Sequence, residues 1–344
     1  MAIRKRLVFS GAGQLGVAFI GTIRVLESHY NCNSLSKYYG SFEGTSSGAL
    51  CATMLSIGLS SLEMLFYYQQ VPDYAPTISN LASRLGFSSV EKTFHATVTL
   101  VLKRYGIPEE KINTITFLEL FERTKIRTVI GLTIIGPVSA SVDASHESVP
   151  DWPFVPCLYS SMAIPGVFEP VAIETPAGTY YGIDGAISCG FRFPGRSLGV
   201  PFNPRELSTA AFAAPHTLPE ESRDDLLGVL IQQIPAEDGY EPGKYTIWKY
   251  FNFICEKFFH YLSIGRATEK SGVIVVHCES GSGVVYRPTP EKILTLIRAG
   301  EKACTEYLNK SMAVPPESGL CAEVSDGMAS GPRTTFAETK RGPF

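Results

Sequence analysis

Apolar residues in the first part of the chain form short runs that alternate with stretches at helical spacing. Residues 5–10 predict a short buried strand, and residues 17–30 place apolar side chains at the spacing of a helix packed on a sheet. Residues 37–43 predict a second strand, and residues 49–57 are apolar on nearly every side, as in a buried helix. This order of strand, glycine loop, helix, strand, turn and helix is typical of a parallel sheet.

The middle and the end of the chain predict more helices and strands. Residues 61–126 are mostly helical in pattern, with a capped helix that starts at Thr116. The β-branched run 128–135 predicts a central strand. Three further strand candidates and a late amphipathic helix follow, at residues 171–173, 180–183, 273–277 and, for the helix, 288–308.

The pattern predicts one domain over residues 5–310. Residues 311–344 are rich in Pro, Gly, Ser and Thr and lack apolar periodicity, so we expect a disordered tail there. An alternative division into two domains would fall near residues 195–245, where Pro and Gly are frequent.

Composition narrows the function. The 344 residues are 44% hydrophobic and 18% charged, which is a globular composition. A formal net charge of −3 provides no basic surface for nucleic acid, so we expect any membrane contact to be local and hydrophobic. The eight cysteines include no C-x-x-C pair and no zinc-ligand spacing, which predicts buried thiols, a reducing compartment and no metal. No signal peptide or transmembrane run is evident, so we expect a cytoplasmic protein.

A serine motif carries the first candidate chemistry. Gly44-Thr45-Ser46-Ser47-Gly48 fits G-x-S-x-G, in which a sharp turn from strand to helix lifts the serine Oγ out of the sheet. The residues before it predict a strand and those after it a buried helix, which is the context of a nucleophile. Taken alone, the same residues also fit an ordinary Gly/Ser turn.

The glycine loop Gly-Ala-Gly-Gln-Leu-Gly at residues 11–16 allows three interpretations. It fits the dinucleotide fingerprint G-x-G-x-x-G, but residues 33–39 contain no acidic residue to bind a ribose. It also fits an oxyanion loop, whose backbone N–H groups converge on the carbonyl oxygen that becomes negative in acyl transfer. The third interpretation is a structural turn between strand and helix that binds nothing.

Ser46 needs a base, and two candidates follow it in the chain. Asp184 ends an apolar run and precedes Gly185, so it can reach a site at the edge of the sheet and accept the serine proton directly. His277 would complete the order Ser, Asp, His of α/β-hydrolases, but that fold places several strands before its nucleophile, more than 45 residues accommodate. An Asp-Gly turn and a strand-end histidine are the structural alternatives.

Together these motifs resemble the patatin-like phospholipase family, in that family's order. The loop at 11–16 resembles its oxyanion motif, and Gly-Thr-Ser-Ser-Gly-Ala-Leu at 44–50 resembles its nucleophile turn. Ser-Ser-Met-Ala-Ile-Pro-Gly-Val-Phe-Glu-Pro at 160–170 and Asp-Gly-Ala at 184–186 resemble two further family motifs. The helix at 288–308 resembles the family's closing helix.

The resemblance implies a three-layer α/β/α fold with a mostly parallel central sheet. It also implies a catalytic dyad of Ser46 and Asp184, a covalent acyl-enzyme on the serine, and no metal or cofactor. Backbone N–H groups of Gly11, Ala12 and Gly13 would form the oxyanion hole.

This chain departs from the family pattern at two loop positions. Ala12 replaces the family's middle glycine, and Leu15 stands where the family has a cation. Loss of that cation would weaken binding of a phosphate head group more than it would affect ester cleavage. We therefore expect a lipid acyl hydrolase of the lipase or phospholipase A type. The alternatives are a catalytically impaired lipid-binding member of the fold and a nucleotide-binding oxidoreductase.

Residues 245–262 form an apolar helical stripe with additional aromatic side chains. A helix that faces the core and an interfacial helix that contacts lipid both explain this pattern. For partners, the sequence predicts an acyl-lipid substrate and peripheral contact with membranes or lipid droplets. It predicts no nucleic acid and no protein partner.

Overall fold

We describe the protein from a computed structural model, over residues 5–70, 86–135, 140–189, 191, 226–234, 272–279 and 288–313. The strands are β1 Lys5–Phe9, β2 Tyr39–Thr45, β3 Gly86–Ser88, β4 Arg127–Ile135, β5 Ala140–Ala144, β6 Gly166–Phe168, β7 Val171–Thr175, β8 Gly178–Asp184, β9 Leu226–Ile234 and β10 Val273–Glu279. The α-helices are α1 Ala18–His29, α2 Ser47–Ser56, α3 Ser61–Tyr68, α4 Val90–Arg104, α5 Phe117–Thr124, α6 Phe154–Met162, α7 Ala186–Cys189 and α8 Pro290–Ala313.

Eight of these strands form one mixed sheet, flanked by helices. Strands β10, β9, β1, β2 and β4 pair in parallel in that order. Strands β5 and β8 pair with β4 in antiparallel fashion, and β7 pairs likewise with β8. Strands β3 and β6 form a separate parallel pair. The predicted three-layer α/β/α fold with mostly parallel strands is confirmed.

The register at β4 explains how two distant parts of the chain meet. β2 pairs with residues 127–131 of β4 and β8 with residues 132–135. β5 pairs with residues 130–134 and so overlaps both, which assigns it to the opposite edge of β4. β2 and β8 therefore share one edge, run toward each other, and end side by side, with Thr45 opposite Gly131 and Asp184 opposite Leu132.

Most predicted elements are present, with shifted ends. The second strand, expected at 37–43, spans 39–45, so it continues up to the residue before Ser46. The capped helix begins where expected, because the Thr116 side chain accepts a hydrogen bond from the Glu119 N–H in a capping box.

Six of these elements were missing from the sequence-based prediction: β3, β5, β6, α6, α7 and β9. β9 is an apolar run that pairs in parallel with both β1 and β10. Its flanks are rich in Pro and Gly, which concealed a strand of continuous rather than alternating hydrophobicity.

Several predictions concern residues outside the described ranges. The disordered tail at 311–344 lies there except for the end of α8, as do the helix at 245–262 and, apart from β9, the two-domain boundary at 195–245. Among the described cysteines, Cys51, Cys157, Cys278 and Cys304 are buried and free, and Cys32 is free and partly buried.

Two absences hold for the residues that the structure covers. No helix among them is both long and apolar enough to cross a bilayer. In the same ranges, no three His, Cys, Asp or Glu side chains come together in a group suited to a metal ion.

Helices α1 and α8 pack with their backbones nearly in contact. A Cβ atom on Gly21 would overlap the Ile297 carbonyl, and a Cβ atom on Gly300 would overlap the Ala18 carbonyl. At this crossing the Thr22 Oγ1 donates a hydrogen bond of 3.3 Å to the Gly300 carbonyl. The two glycines therefore set the distance between the first and last helices of the described fold.

We predict that Gly300→Ala destabilises the protein by about 1–3 kcal/mol, because the new methyl group forces α8 away from α1. The measurement is the free energy of unfolding in urea. Thr295→Ala on the exposed side of the same helix is the control, and it should be neutral or slightly stabilising. Equal effects of the two changes would contradict the packing argument.

Candidate active site

Ser46 stands between β2 and α2 in a backbone conformation that few non-glycine residues adopt. Its φ and ψ are 56° and −126°, and α2 begins at the next residue. The turn puts the Ser46 Oγ at the N-terminal end of α2, where the helix dipole favours negative charge.

The two glycines of the serine motif lie so close to neighbouring backbone atoms that no larger residue fits. A Cβ atom on Gly44 would overlap the Gly48 carbonyl, and one on Gly48 would overlap the carbonyls of Phe9 and Ser10. The turn thus packs directly against β1 and against its own helix, which is the reason the motif needs glycine at both ends.

Asp184, the last residue of β8, is the hydrogen-bond partner of Ser46. The Ser46 Oγ donates to Asp184 Oδ2 over 2.7 Å, and the Ala186 N–H donates to Asp184 Oδ1 over 2.8 Å. Both oxygens of the carboxylate are therefore oriented. Asp184 is fully buried and Ser46 is 5% exposed, so the pair lies in a poorly hydrated site.

The turn after Asp184 is equally tight. A Cβ atom on Gly185 would overlap the Gly131 carbonyl of β4, at the position where β2 and β8 meet. A larger residue at 185 would separate the two strand ends and so move the carboxylate away from Ser46.

Burial raises the pKa of Asp184 from its ordinary value of 3.8 to about 7. Desolvation of the carboxylate is the main cause, and the hydrogen bonds from the Ala186 N–H and the Ser46 Oγ oppose it by stabilising the charged form. A carboxylate with a pKa near neutrality is a stronger base than an exposed aspartate, and it is ionised over much of the physiological range.

The glycine loop lies against the serine turn. It continues into a 3₁₀ helix over Gly13–Val17, and Gly13 has the positive φ of 53° that starts it. The Ala12 N–H donates to the Ser47 Oγ over 3.1 Å. Gly16 packs so closely on Ser47 and on the Tyr68 hydroxyl that a Cβ atom there would overlap both.

The hydrogen bond from the Ala12 N–H to Ser47 changes the set of amides that can form the predicted oxyanion hole. In the structure the Ala12 N–H is engaged by the Ser47 Oγ, while Gly13 is the first residue of a 3₁₀ helix, whose first amides have no acceptor within the helix. Ala12 itself has a φ of −152°, so this position does not require the left-handed backbone that favours glycine.

His277, the alternative base, lies in another part of the sheet from Ser46. His277 lies on β10 with an exposed side chain, and β10 is three strand positions from β2 in the sheet. At the usual spacing of strands this is a separation of about 14 Å. His277 is therefore not within hydrogen-bonding reach of Ser46.

The dinucleotide alternative needs a free acidic residue at the end of β2. Glu43 is there, but it is 4% exposed and its carboxylate accepts hydrogen bonds from Arg6 at 2.7 and 3.0 Å and from Arg127 at 2.8 Å. Burial alone would raise the pKa of Glu43, but the two guanidinium groups lower it. This carboxylate is held within the sheet and is not available to a ribose.

Polar side chains that were not predicted from the sequence form hydrogen bonds to the backbones of Ser46 and Asp184. The Ser46 N–H donates to the Ser161 Oγ over 2.8 Å, and the Thr133 Oγ1 donates to the Asp184 carbonyl over 3.2 Å. Ser188 Oγ bonds in turn to Thr133 Oγ1 at 2.8 Å. Ser161 belongs to the segment 160–170 that resembles a family motif, which was the one signal in the sequence for its importance.

Comparison with known proteins gives one family match and several solved structures with limited similarity. The model of the family "Patatin-like phospholipase" matches residues 7–192, more than half of the chain. No curated protein matches in sequence.

Solved structures are similar at low identity. VipD from Legionella pneumophila is 14% identical with a TM-score of 0.47, and the match covers 90% of this chain and 67% of that one. The type III effector ExoU is 15% identical with a TM-score of 0.43, over 91% of this chain and 54% of that one. ExoU of Pseudomonas aeruginosa in complex with SpcU is 16% identical with a TM-score of 0.42, over 91% and 53%. This chain thus spans about two thirds of the VipD chain and about half of the ExoU chains.

The family match includes the end of β1, the glycine loop, the serine turn at 44–48 and the Asp-Gly pair at 184–185. It therefore contains both residues of the buried hydrogen bond between hydroxyl and carboxylate. On this basis the chain belongs to the patatin-like phospholipase family.

Proposed function

We propose that this protein is a lipid acyl hydrolase of the lipase or phospholipase A type, with Ser46 as nucleophile and Asp184 as base. Family membership supports hydrolysis of acyl lipids in general. The observation that carries the finer proposal is the 2.7 Å hydrogen bond from Ser46 Oγ to Asp184 Oδ2, made by a serine in a conformation typical of a nucleophile turn.

In the proposed reaction the Ser46 Oγ attacks the acyl carbonyl carbon while its proton moves to Asp184 Oδ2. The tetrahedral intermediate then collapses, the C–O bond to the alcohol breaks, and the alcohol leaves with the proton from Asp184. A water molecule attacks the resulting acyl-enzyme and gives its own proton to Asp184. The fatty acid departs, and that proton returns to Ser46.

The oxyanion that forms in both steps needs N–H donors. We assign the Gly13 N–H and the first amides of α2, beginning at Ser47, because both helices start beside Ser46. The Ala12 N–H, predicted as a donor, instead holds the loop against the Ser47 Oγ. In this arrangement Ala12 fixes the position of the Gly13 amide.

Leu15 affects which part of the substrate the protein would recognise. Its side chain packs against the hydrophobic core and provides no charge for a phosphate at the position where the family has a cation. This favours recognition of the acyl ester over recognition of the head group. We include in the proposal a cytoplasmic setting with peripheral lipid contact, which the free thiols of the described cysteines support.

One observation favours the alternative, a lipid-binding member with impaired catalysis. The Ala12 amide is engaged by the Ser47 Oγ, so one of the three expected oxyanion donors is already occupied. A fluorophosphonate probe distinguishes the two functions, because it reacts covalently only with an activated serine. Liposome binding without labelling of Ser46 would support the alternative.

We predict that Ser46→Ala and Asp184→Asn each reduce hydrolysis of p-nitrophenyl acyl esters by about 10⁴-fold or more, since each removes one half of the proton transfer. The same variants should abolish fatty-acid release from a phospholipid and triglyceride mixture, measured by lipid mass spectrometry. His277→Ala is the control and should retain wild-type rates, because its side chain is remote from Ser46. Loss of activity in His277→Ala would point to a Ser-His-Asp triad instead.

We predict that kcat/KM rises with pH, reaches half of its maximum near pH 7 and is constant at higher pH. The reason is that only the ionised Asp184 accepts the serine proton. Below the midpoint the rate should fall about tenfold per pH unit. Labelling by the fluorophosphonate should follow the same curve, which separates ionisation of the enzyme from that of the product. A midpoint near 4 would show an ordinary, hydrated carboxylate.

The raised pKa also has a cost in stability. The folded pKa of Asp184 lies above its unfolded value, so its contribution to stability is fully present below 3.8 and is lost as the pH rises through about 7. At pH 8 the folded protein therefore contains a buried, ionised carboxylate whose hydrogen-bond partners among the described residues are the Ser46 Oγ and the Ala186 N–H.

We therefore predict that Asp184→Asn raises Tm at pH 8, on the order of several degrees, and leaves it nearly unchanged at pH 4. Differential scanning calorimetry at the two pH values measures this. A variant that is inactive and equally destabilised at both pH values would contradict the desolvation argument.

A further inference from the structure

The segment from Ser161 to Ala163, at the end of α6, holds the backbones of both residues of the proposed dyad. The Ser46 N–H donates to the Ser161 Oγ over 2.8 Å. The Gly185 N–H donates to the Ser161 carbonyl over 3.4 Å, and the Asp184 N–H donates to the Ala163 carbonyl over 2.9 Å. This one segment thus connects two strand ends that are far apart in sequence.

The Ser46 amide depends on this bond. Pairing between β2 and β4 ends at Thr45, so the sheet provides no acceptor for the next N–H. As the N-cap residue of α2, Ser46 also has no acceptor for its N–H within the helix. A buried N–H without an acceptor is strongly unfavourable, and the Ser161 hydroxyl supplies the acceptor.

The hydroxyl of Ser161 is itself fixed. It donates its proton to the Gly131 carbonyl over 2.6 Å, on the β4 residue that lies opposite Thr45. With its single proton committed there, the Ser161 Oγ presents a lone pair to the Ser46 N–H. Ser161 therefore bridges β4 and the serine turn, and its side chain is fully buried.

Resting on the function proposed above, we propose that Ser161 is a positioning residue for the nucleophile: its hydroxyl holds the strained turn in the orientation that aims the Ser46 Oγ at Asp184. It touches no reacting atom and acts through the Ser46 amide. Without it the turn relaxes, the bond between hydroxyl and carboxylate lengthens, and proton transfer slows.

The neighbouring residue is a matched control. Ser160 is on the same helix and is also fully buried, but its Oγ has no hydrogen-bond partner among the described residues. It packs against Gly182 of β8, where a Cβ atom would be 2.5 Å from it. Ser160→Ala and Ser161→Ala thus remove the same atom from equally buried sites, and only the second removes hydrogen bonds to the serine turn.

The experiment compares these two variants with wild type in the hydrolysis of a short p-nitrophenyl ester. Ser161→Ala should lower kcat by about 10- to 100-fold with KM nearly unchanged, and should slow labelling by a fluorophosphonate to a similar extent. Its pH midpoint should move upward, because the hydrogen bond from Ser46 lowers the pKa of Asp184 and would be weakened. Ser160→Ala should match wild type in kcat and in pH midpoint.

The outcomes separate this inference from the proposed function. A wild type that neither hydrolyses esters nor reacts with the fluorophosphonate overturns both. An active wild type, with Ser161→Ala folded and equal to Ser160→Ala, overturns the positioning role alone. If thermal unfolding shows that Ser161→Ala does not fold, Ser161→Cys takes its place, since a thiol keeps the size but is a weak hydrogen-bonding group. Wild-type kcat and pH midpoint in Ser161→Cys would then overturn the inference.

Discussion

One edge of β4 accommodates two strands that run toward each other, and the arrangement of the site depends on that constraint. β2 ends at Thr45 and β8 ends at Asp184, opposite neighbouring residues of β4. Two strand ends that meet in this way leave backbone groups without ladder partners, and buried backbone groups without partners are strongly unfavourable. Hydrogen-bonding groups from other elements must therefore satisfy the backbone at the gap between these two strand ends. At the same gap a hydroxyl and a carboxylate come within 2.7 Å of each other.

The gap is tight because the surrounding backbones approach closely. The glycines at 44, 48 and 185 each occupy a place where a methyl group would overlap a carbonyl. The positive φ of Ser46 costs on the order of 1–3 kcal/mol, and such strain persists only where the surroundings over-determine it. Here the Ser46 N–H donates to the Ser161 Oγ and the Asp184 N–H donates to the Ala163 carbonyl, and these bonds provide that support. Because the Ala186 N–H already orients the carboxylate, the proposed dyad needs no third residue to orient its base.

Sequence reasoning identified the chemical types at the site more readily than their arrangement. Ser46 lies in a motif whose spacing reflects local backbone geometry, so the turn and the following helix were predictable from neighbouring residues. The approach of Asp184 depends on the antiparallel pairing of β8 with β4, a contact between residues about fifty positions apart, which no local pattern encodes. The order of the family motifs, rather than periodicity, suggested that the two residues meet.

Side-chain partners were the least predictable part. Ser160 and Ser161 are identical neighbours in sequence, and only the rotation of α6 against β4 decides which hydroxyl finds acceptors and donors. The Ala12 amide was expected to face the substrate, but the side chain of Ser47 takes it up. That bond joins the glycine loop to the serine turn, and it follows from tertiary packing between two segments that the sequence shows only separately.

The glycine contact between α1 and α8 has a consequence for how the protein is made. α1 is synthesised long before α8, the helix that packs on it with Gly300 against the Ala18 carbonyl. Strand β1 likewise pairs with β9, which is synthesised much later than β1. Until then the part of α1 that packs on α8 stays uncovered in the nascent chain. The described fold, and with it the proposed active site, is therefore complete only after α8 has been synthesised.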